Sequence, residues 1–200
     1  HGANRLGGNS LSDLITFGKR AGDYAARAAA EMDAFLDIDS NDISRVIDET
    51  LAPLTREGGE NPAKVVEDLR EMMQEKVGII RDGKQLKEAL EDLESFRKRE
   101  MATSPGGTRI YNPGWHQALE IGAMIDISQM CALAALAREE SRGGHTRLDF
   151  PIPDHGHWGK VNSVIVMDES SGMALSHVTY PPIPERLKQL LDAADLHEDG

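Results

Sequence analysis

Cysteine, aromatic rings and basic charge are all scarce in this chain, and each shortage removes a class of protein. A single cysteine among 200 residues, Cys131, rules out an internal disulfide and points to a reducing compartment. Aromatic residues make up 4% of the chain, so the core must be built from aliphatic side chains. Lys and Arg number 22 against 34 Asp and Glu, a net charge of −12, and no nucleic-acid partner is expected of such a surface. No apolar run approaches the ~20 residues that a membrane-spanning helix needs. No signal peptide is visible at the start, so any membrane association is expected to come through partner proteins. A G-x-G-x-x-G phosphate cradle is missing as well. What is present is 40% hydrophobic residues, enough to build one large domain or two small ones.

The opening stretch, His1-Gly2-Ala3-Asn4-Arg5-Leu6-Gly7-Gly8-Asn9-Ser10-Leu11, is a Gly-rich loop that runs into a helix. Gly7 and Gly8 permit backbone angles and close approaches that a side chain forbids. Asn9 or Ser10 is placed to cap the helix. The first N–H groups of that helix and its dipole favour an anionic or electron-rich group. Arg5 adds a planar fork of donors suited to a carboxylate or phosphate. The local chemistry is that of half a binding site.

Periodicity predicts a mostly helical chain. The first helix is expected from Ser10 to Phe35, with Leu11, Leu14, Ile15, Gly18, Ala21, Gly22, Ala25 and Ala29 on one face. Ser40 is a candidate cap for a second helix over Asn41–Thr55, ended or bent by Pro53. Asn61-Pro62 begins a third helix reaching Ile80, which buries Val65, Leu69, Met72, Met73 and Val77. A fourth, after Gly83, presents Leu86, Ala89, Leu90, Leu93 and Phe96. Asn112-Pro113 opens the longest and most apolar helix, to about Glu140, with Leu119, Ala123, Ile127, Met130, Ala134 and Ala137 as its inward stripe. Short loops make helices two to five an up-and-down antiparallel bundle. Beyond Ser141 the pattern turns extended. Val161–Met167 and Met173–Thr179 should pair as a hairpin, followed by a short helix from Glu185 to Ala194.

Charged and ring-bearing residues in the second half invite sharper readings. Arg142, His145 and Arg147 could bind an anion, but with three acids in the same segment they are expected to pair with Glu139, Glu140 and Asp149 and fix the turn off the bundle. His145, His155 and His157 lack the further defended ligand that a zinc site requires, and Cys131 sits on an apolar helix stripe, so no metal is expected. Met72, Met73, Met124 and Met130 read as core filler, and Trp115 and Trp158 as packing anchors.

Two strings carry a resemblance to a known family. The run HGANRLGGNSL from His1 to Leu11, and Glu139-Glu140-Ser141-Arg142-Gly143-Gly144-His145-Thr146-Arg147-Leu148-Asp149-Phe150-Pro151 near the other end, resemble motifs of the flavoprotein subunit of succinate dehydrogenase and fumarate reductase, a family that includes L-aspartate oxidase. The resemblance implies that Arg5 holds a carboxylate of a dicarboxylate substrate and that Ser10 and Leu11 contact FAD, with His1 and Asn4 nearby. It implies residues 1–36 as the closing loop and helix of an FAD-binding domain, 37–141 as the helical bundle, and 142–200 as an extended tail with a β-hairpin and a short terminal helix. The Pro113-Gly114-Trp115-His116-Gln117 segment is closer to succinate dehydrogenase. An iron–sulfur subunit, and membrane anchors behind it, are the implied partners, which would hold the protein at the cytoplasmic face of a membrane. The family's proton-shuttle arginine and the histidine that attaches FAD have no counterpart in these residues, so the chain is expected to be inactive alone, as the C-terminal part of a longer protein. A fumarate reductase or L-aspartate oxidase flavoprotein and a stand-alone helical interaction module are the other readings.

Overall fold

In a computed structural model the described residues are 5–32, 37–168 and 172–195. They divide into two compact units, His1–Pro153 and Asp154–Gly200. The first holds α1 (Asn9–Glu31), α2 (Ser40–Thr55), α3 (Pro62–Lys76), β1 (Ile80–Arg81), α4 (Gly83–Met101), α5 (Pro113–Ala137) and β2 (Thr146–Arg147). The second holds a 3₁₀ turn (Trp158–Lys160), β3 (Val161–Asp168), β4 (Gly172–Thr179) and α6 (Glu185–Asp195).

Helix starts follow side-chain chemistry. The Asn61 carboxamide accepts from the Ala63 N–H at 2.9 Å, with Pro62 in the first turn where its missing donor costs nothing. Asp82 accepts from Lys84 and Gln85, and Asn112 accepts from Trp115 while donating to the carbonyls of Gly106 and Thr108. At α2 the cap is Asp39, which accepts from the Asn41 N–H at 2.8 Å. Ser40, expected as the cap, is instead the first helical residue. A carboxylate one position earlier wins because it also favours the positive helix end. Pro53 lies inside α2 and is buried; the helix continues to Thr55.

The core lies among α3, α4 and α5. Val65, Leu69, Leu86, Ala89, Leu93, Ile121, Ile125 and Ala132 are almost entirely withdrawn from water. The stripe expected on α5 is the wrong face. Ala118, Ile121, Ile125, Ser128, Ala132 and Ala135 point inward, while Leu119, Ala123 and Ile127 are exposed and Met130 is 37% exposed rather than core filler. Apolar residues surround this helix, so its own sequence carries no phase, and the faces of α3 and α4 choose which side is covered. By length and composition α5 is apolar enough to cross a membrane, contrary to the expectation from apolar runs, and in this fold it packs against α2, α3 and α4.

α3 stops at Lys76, short of the expected Ile80. Ile80 and Arg81 instead pair in parallel with Thr146 and Arg147, a contact across more than sixty residues that helical periodicity cannot register. Arg81 Nε also donates to the Val77 and Gly78 carbonyls, satisfying acceptors left open at the helix end. At the other end of the bundle, Glu60 and Thr103 bridge, with the Glu60 N–H donating to Ala102 and the Ser104 N–H to Glu60. Arg99 clamps this join by pairing with Glu60 and with Asp68. Gly59 sits so close that a Cβ there would meet the Ser104 Cβ at 2.7 Å and overlap the Ala102 carbonyl. Gly59→Ala is therefore expected to cost about 1–3 kcal/mol, read as an earlier urea midpoint, because backbone on the facing side cannot rotate away.

In the second unit, β3 and β4 form an antiparallel hairpin from Val161↔Thr179 to Asp168↔Gly172, as the two β-rich runs predict. Trp158 is buried, with its ring edge-on to His157 and His177 at 4.7 and 4.9 Å. α6 runs from Glu185 to Asp195.

Candidate functional site

The loop carrying Arg5 enters α1 through Gly8, whose φ of 82° is a left-handed turn that glycine adopts without strain. The Asn9 N–H donates to the Leu6 carbonyl at 3.3 Å, and the Leu11 N–H to the Gly8 carbonyl at 3.0 Å. Arg5, Ser10 and Leu11 are thus carried by one turn. Arg5 is exposed and makes no ion pair among the described residues. Ser10 is half-buried, and Leu11 is 64% exposed. The expected Asn9 or Ser10 cap does not form, because Gly8 takes the cap position and both residues are already helical. His1 and Asn4 lie outside the described residues.

This arrangement suits an anionic or electron-rich group such as a flavin ring. The first turn of α1 has neither a side-chain cap nor an acidic residue, so no side chain neutralises the positive end of the helix there. Among the described residues, and apart from its chain neighbours, nothing stands within 4 Å of where a Cβ of Gly7 or Gly8 would be, which leaves that side of the turn open. Beyond it, Leu14, Ile15 and Phe17 are 59–72% exposed, and α1 buries no residue. An amphipathic helix with its apolar side bare is built to be covered.

A second concentration of chemistry lies where α5 ends. Arg147, 2% exposed, donates through Nη1 to the carbonyls of Ala135, Leu136 and Arg138 at 2.8–3.2 Å. Its Nε and Nη2 grip both oxygens of Asp149 at 2.7 Å, and its guanidinium lies 4.9 Å from the Phe150 ring centre. That grip holds the Asp149 carboxyl down at about 2. Asp149 also accepts from the Gly83 N–H at 3.0 Å, tying the segment to the start of α4. Glu140, fully buried, pairs with both Arg138 and Arg142. The acids that hold the expected turn are thus Glu140 and Asp149, while Glu139 is exposed to solvent.

His145 completes the cluster. Arg81 Nη1 donates to its Nδ1 at 2.8 Å, which places the ring proton on Nε2, where it reaches the Arg138 carbonyl at 3.0 Å. Burial and the surrounding guanidinium groups push the His145 pKa below its ordinary value. Arg81 is the member that sequence reading missed. Its only local signal is the Ile79-Ile80-Arg81 run just before the Asp82 cap. Cys131 is exposed, and His157 meets the Trp158 ring edge-on. Among the described residues no group of three His, Cys, Asp or Glu side chains is arranged to hold a metal ion.

Comparison with known proteins agrees with this layout. The family described as "Fumarate reductase flavoprotein C-term" matches residues 66–190. The fumarate reductase flavoprotein subunit of Helicobacter pylori (strain 26695) is 36% identical over 163 residues, which are 79% of this chain and 22% of that protein. The succinate dehydrogenase flavoprotein subunit of Coxiella burnetii is 32% identical over 188 residues, 92% of this chain and 30% of that one. Among solved structures, Mycobacterium smegmatis Sdh1 in complex with UQ1 superposes with a TM-score of 0.87 at 35% identity, covering 98% of this chain and 33% of its counterpart. A quinol–fumarate reductase with menaquinol gives 0.77 at 27% identity, covering 91% of this chain and 32% of its own. The chain spans a third or less of the length of these relatives. All of α3 from Val66 onward, α4, α5, the Arg147 segment and the hairpin fall inside the matched region. The chain belongs to the succinate dehydrogenase/fumarate reductase flavoprotein family.

Proposed function

We propose that this chain is the C-terminal part of a succinate dehydrogenase flavoprotein subunit, which oxidises succinate to fumarate. The observation that carries the reading is the Arg5–Leu11 turn: an exposed guanidinium ahead of a helix start with no side-chain cap and no acid in its first turn. Arg5 holds one carboxylate of the C4 dicarboxylate and fixes its orientation. FAD, when bound, supplies the hydride acceptor. Ser10 and Leu11 would hold it, and the positive end of α1 would favour negative charge on it. The bare apolar face of α1 is covered by the rest of the FAD-binding domain. Residues 37–141 form the bundle and 142–200 the tail of the flavoprotein. The chain alone neither turns over substrate nor retains FAD. Electrons leave through an iron–sulfur subunit to a membrane-anchored quinone site, which keeps the protein at the cytoplasmic face of the membrane.

The test uses the complete polypeptide that contains this chain. Anaerobic succinate should bleach its visible flavin absorbance, and fumarate should restore it. Bleaching by L-aspartate but not by succinate would make it an L-aspartate oxidase. No bleaching by either would sink the enzyme reading and leave a helical interaction module.

A further inference from the structure

The strap Arg142–Phe150 is fastened to the bundle by contacts of two kinds. Most are insensitive to pH near neutrality: the Leu148 N–H donates to the Arg81 carbonyl at 2.8 Å, and Ser141 Oγ bonds to the Arg147 and Phe150 carbonyls. One is not. The Arg81–His145 bond exists only while Nδ1 of His145 carries a lone pair, and it joins the strap directly to β1. We propose that His145 is an acid-sensitive latch: a proton on Nδ1 replaces this hydrogen bond with two opposed donors and releases the strap from β1.

The surroundings leave the extra charge poorly compensated. Facing His145 are Arg81 on β1, Arg138 at the end of α5, and Arg147 on β2, all guanidinium groups that keep their charge at every relevant pH. Arg142 is hydrogen-bonded to His145 through the backbone in both directions, so the ring cannot swing away without opening that turn. The nearby acids are spent: Glu140 is bound by Arg138 and Arg142, and Asp149 is gripped by Arg147. Cys131 on α5 is within electrostatic reach of Arg81 and adds no carboxylate. Arg81 cannot simply retreat, because its Nε is held by the Val77 and Gly78 carbonyls.

The direction of the effect follows from linkage. The docked ring has its pKa below the ordinary 6.5, so docking is at full strength above that pH and weakens as pH falls through and below it. One proton is involved, and the docking constant should fall by up to tenfold per pH unit. Hydrogen exchange on the complete flavoprotein reads this, with protection of peptides spanning 142–150 taken relative to α4 peptides after correction for intrinsic exchange. A loss of relative protection of up to about fivefold from pH 6.5 to 5.5 is expected, because the free ring is already half protonated at 6.5, with a slope no steeper than one proton. His145→Gln retains a donor and an acceptor but cannot titrate, and it should flatten the profile. A flat wild-type profile, a steeper multi-proton slope, or a loss that persists in His145→Gln would overturn the latch. The wild-type slope decides the matter even if the variant fails to fold.

Discussion

Arg147→Ala is expected to cost about 3–5 kcal/mol, the range for removing one partner of a buried, hydrogen-bonded charge pair. The loss does not stop at the ion pair. Three carbonyls at the C-terminal end of α5 (Ala135, Leu136 and Arg138) lose a shared donor in a place that the strap keeps dry. Asp149 is left with the Gly83 N–H alone of the two partners that now hold it at the α4 start. Hydrogen exchange should show protection in residues 135–150 falling more than a hundredfold, since 1.4 kcal/mol is a factor of ten. Arg147→Lys should recover only part of this, because one ammonium cannot face a carboxylate and three carbonyls at once. Near wild-type protection in the alanine variant would mean that the strap is held by its backbone bonds.

The second large effect belongs to the proposed substrate site. In the complete flavoprotein, Arg5→Ala is expected to lower kcat/KM for succinate on the order of 10²–10³-fold, equivalent to losing about 3–4 kcal/mol of a charge-assisted, water-excluded contact. Flavin content should be unchanged, because the proposed role of Arg5 is to hold the substrate carboxylate and that of Ser10 and Leu11 to meet the flavin. Arg5→Lys should fall between the two, keeping the charge but losing the fork that matches a carboxylate. Loss of flavin instead of activity would assign Arg5 to holding the cofactor. An unchanged kcat/KM would remove it from the site.

Local chemistry in the chain was enough for much of the architecture. Asn61-Pro62, Asp82 and Asn112 start helices where their side chains reach backbone donors one turn ahead, a relation confined to four consecutive residues. The hairpin is equally local, since two β-rich runs close in sequence pair with each other, Val161 opposite Thr179. The Arg5–Leu11 segment and the Glu139–Pro151 segment could be recognised for the same reason, each being a contiguous run. Arg142, Arg147, Glu140 and Asp149 could be matched as a mutually neutralising set because they lie within ten residues of one another.

Tertiary structure alone decided the rest. Which face of α5 is buried depends on α3 and α4, because an all-round apolar helix has no preferred side until neighbours cover one. The early end of α3 depends on β2, whose partner strand is otherwise two residues of an ordinary helix pattern. Gly8 displaces Asn9 and Ser10 from the cap because a left-handed turn shifts the helix start by one residue, a backbone choice that capping preferences do not specify. The place of Arg81 against His145 joins residues 64 apart in sequence, and only the folded chain brings that donor to that ring.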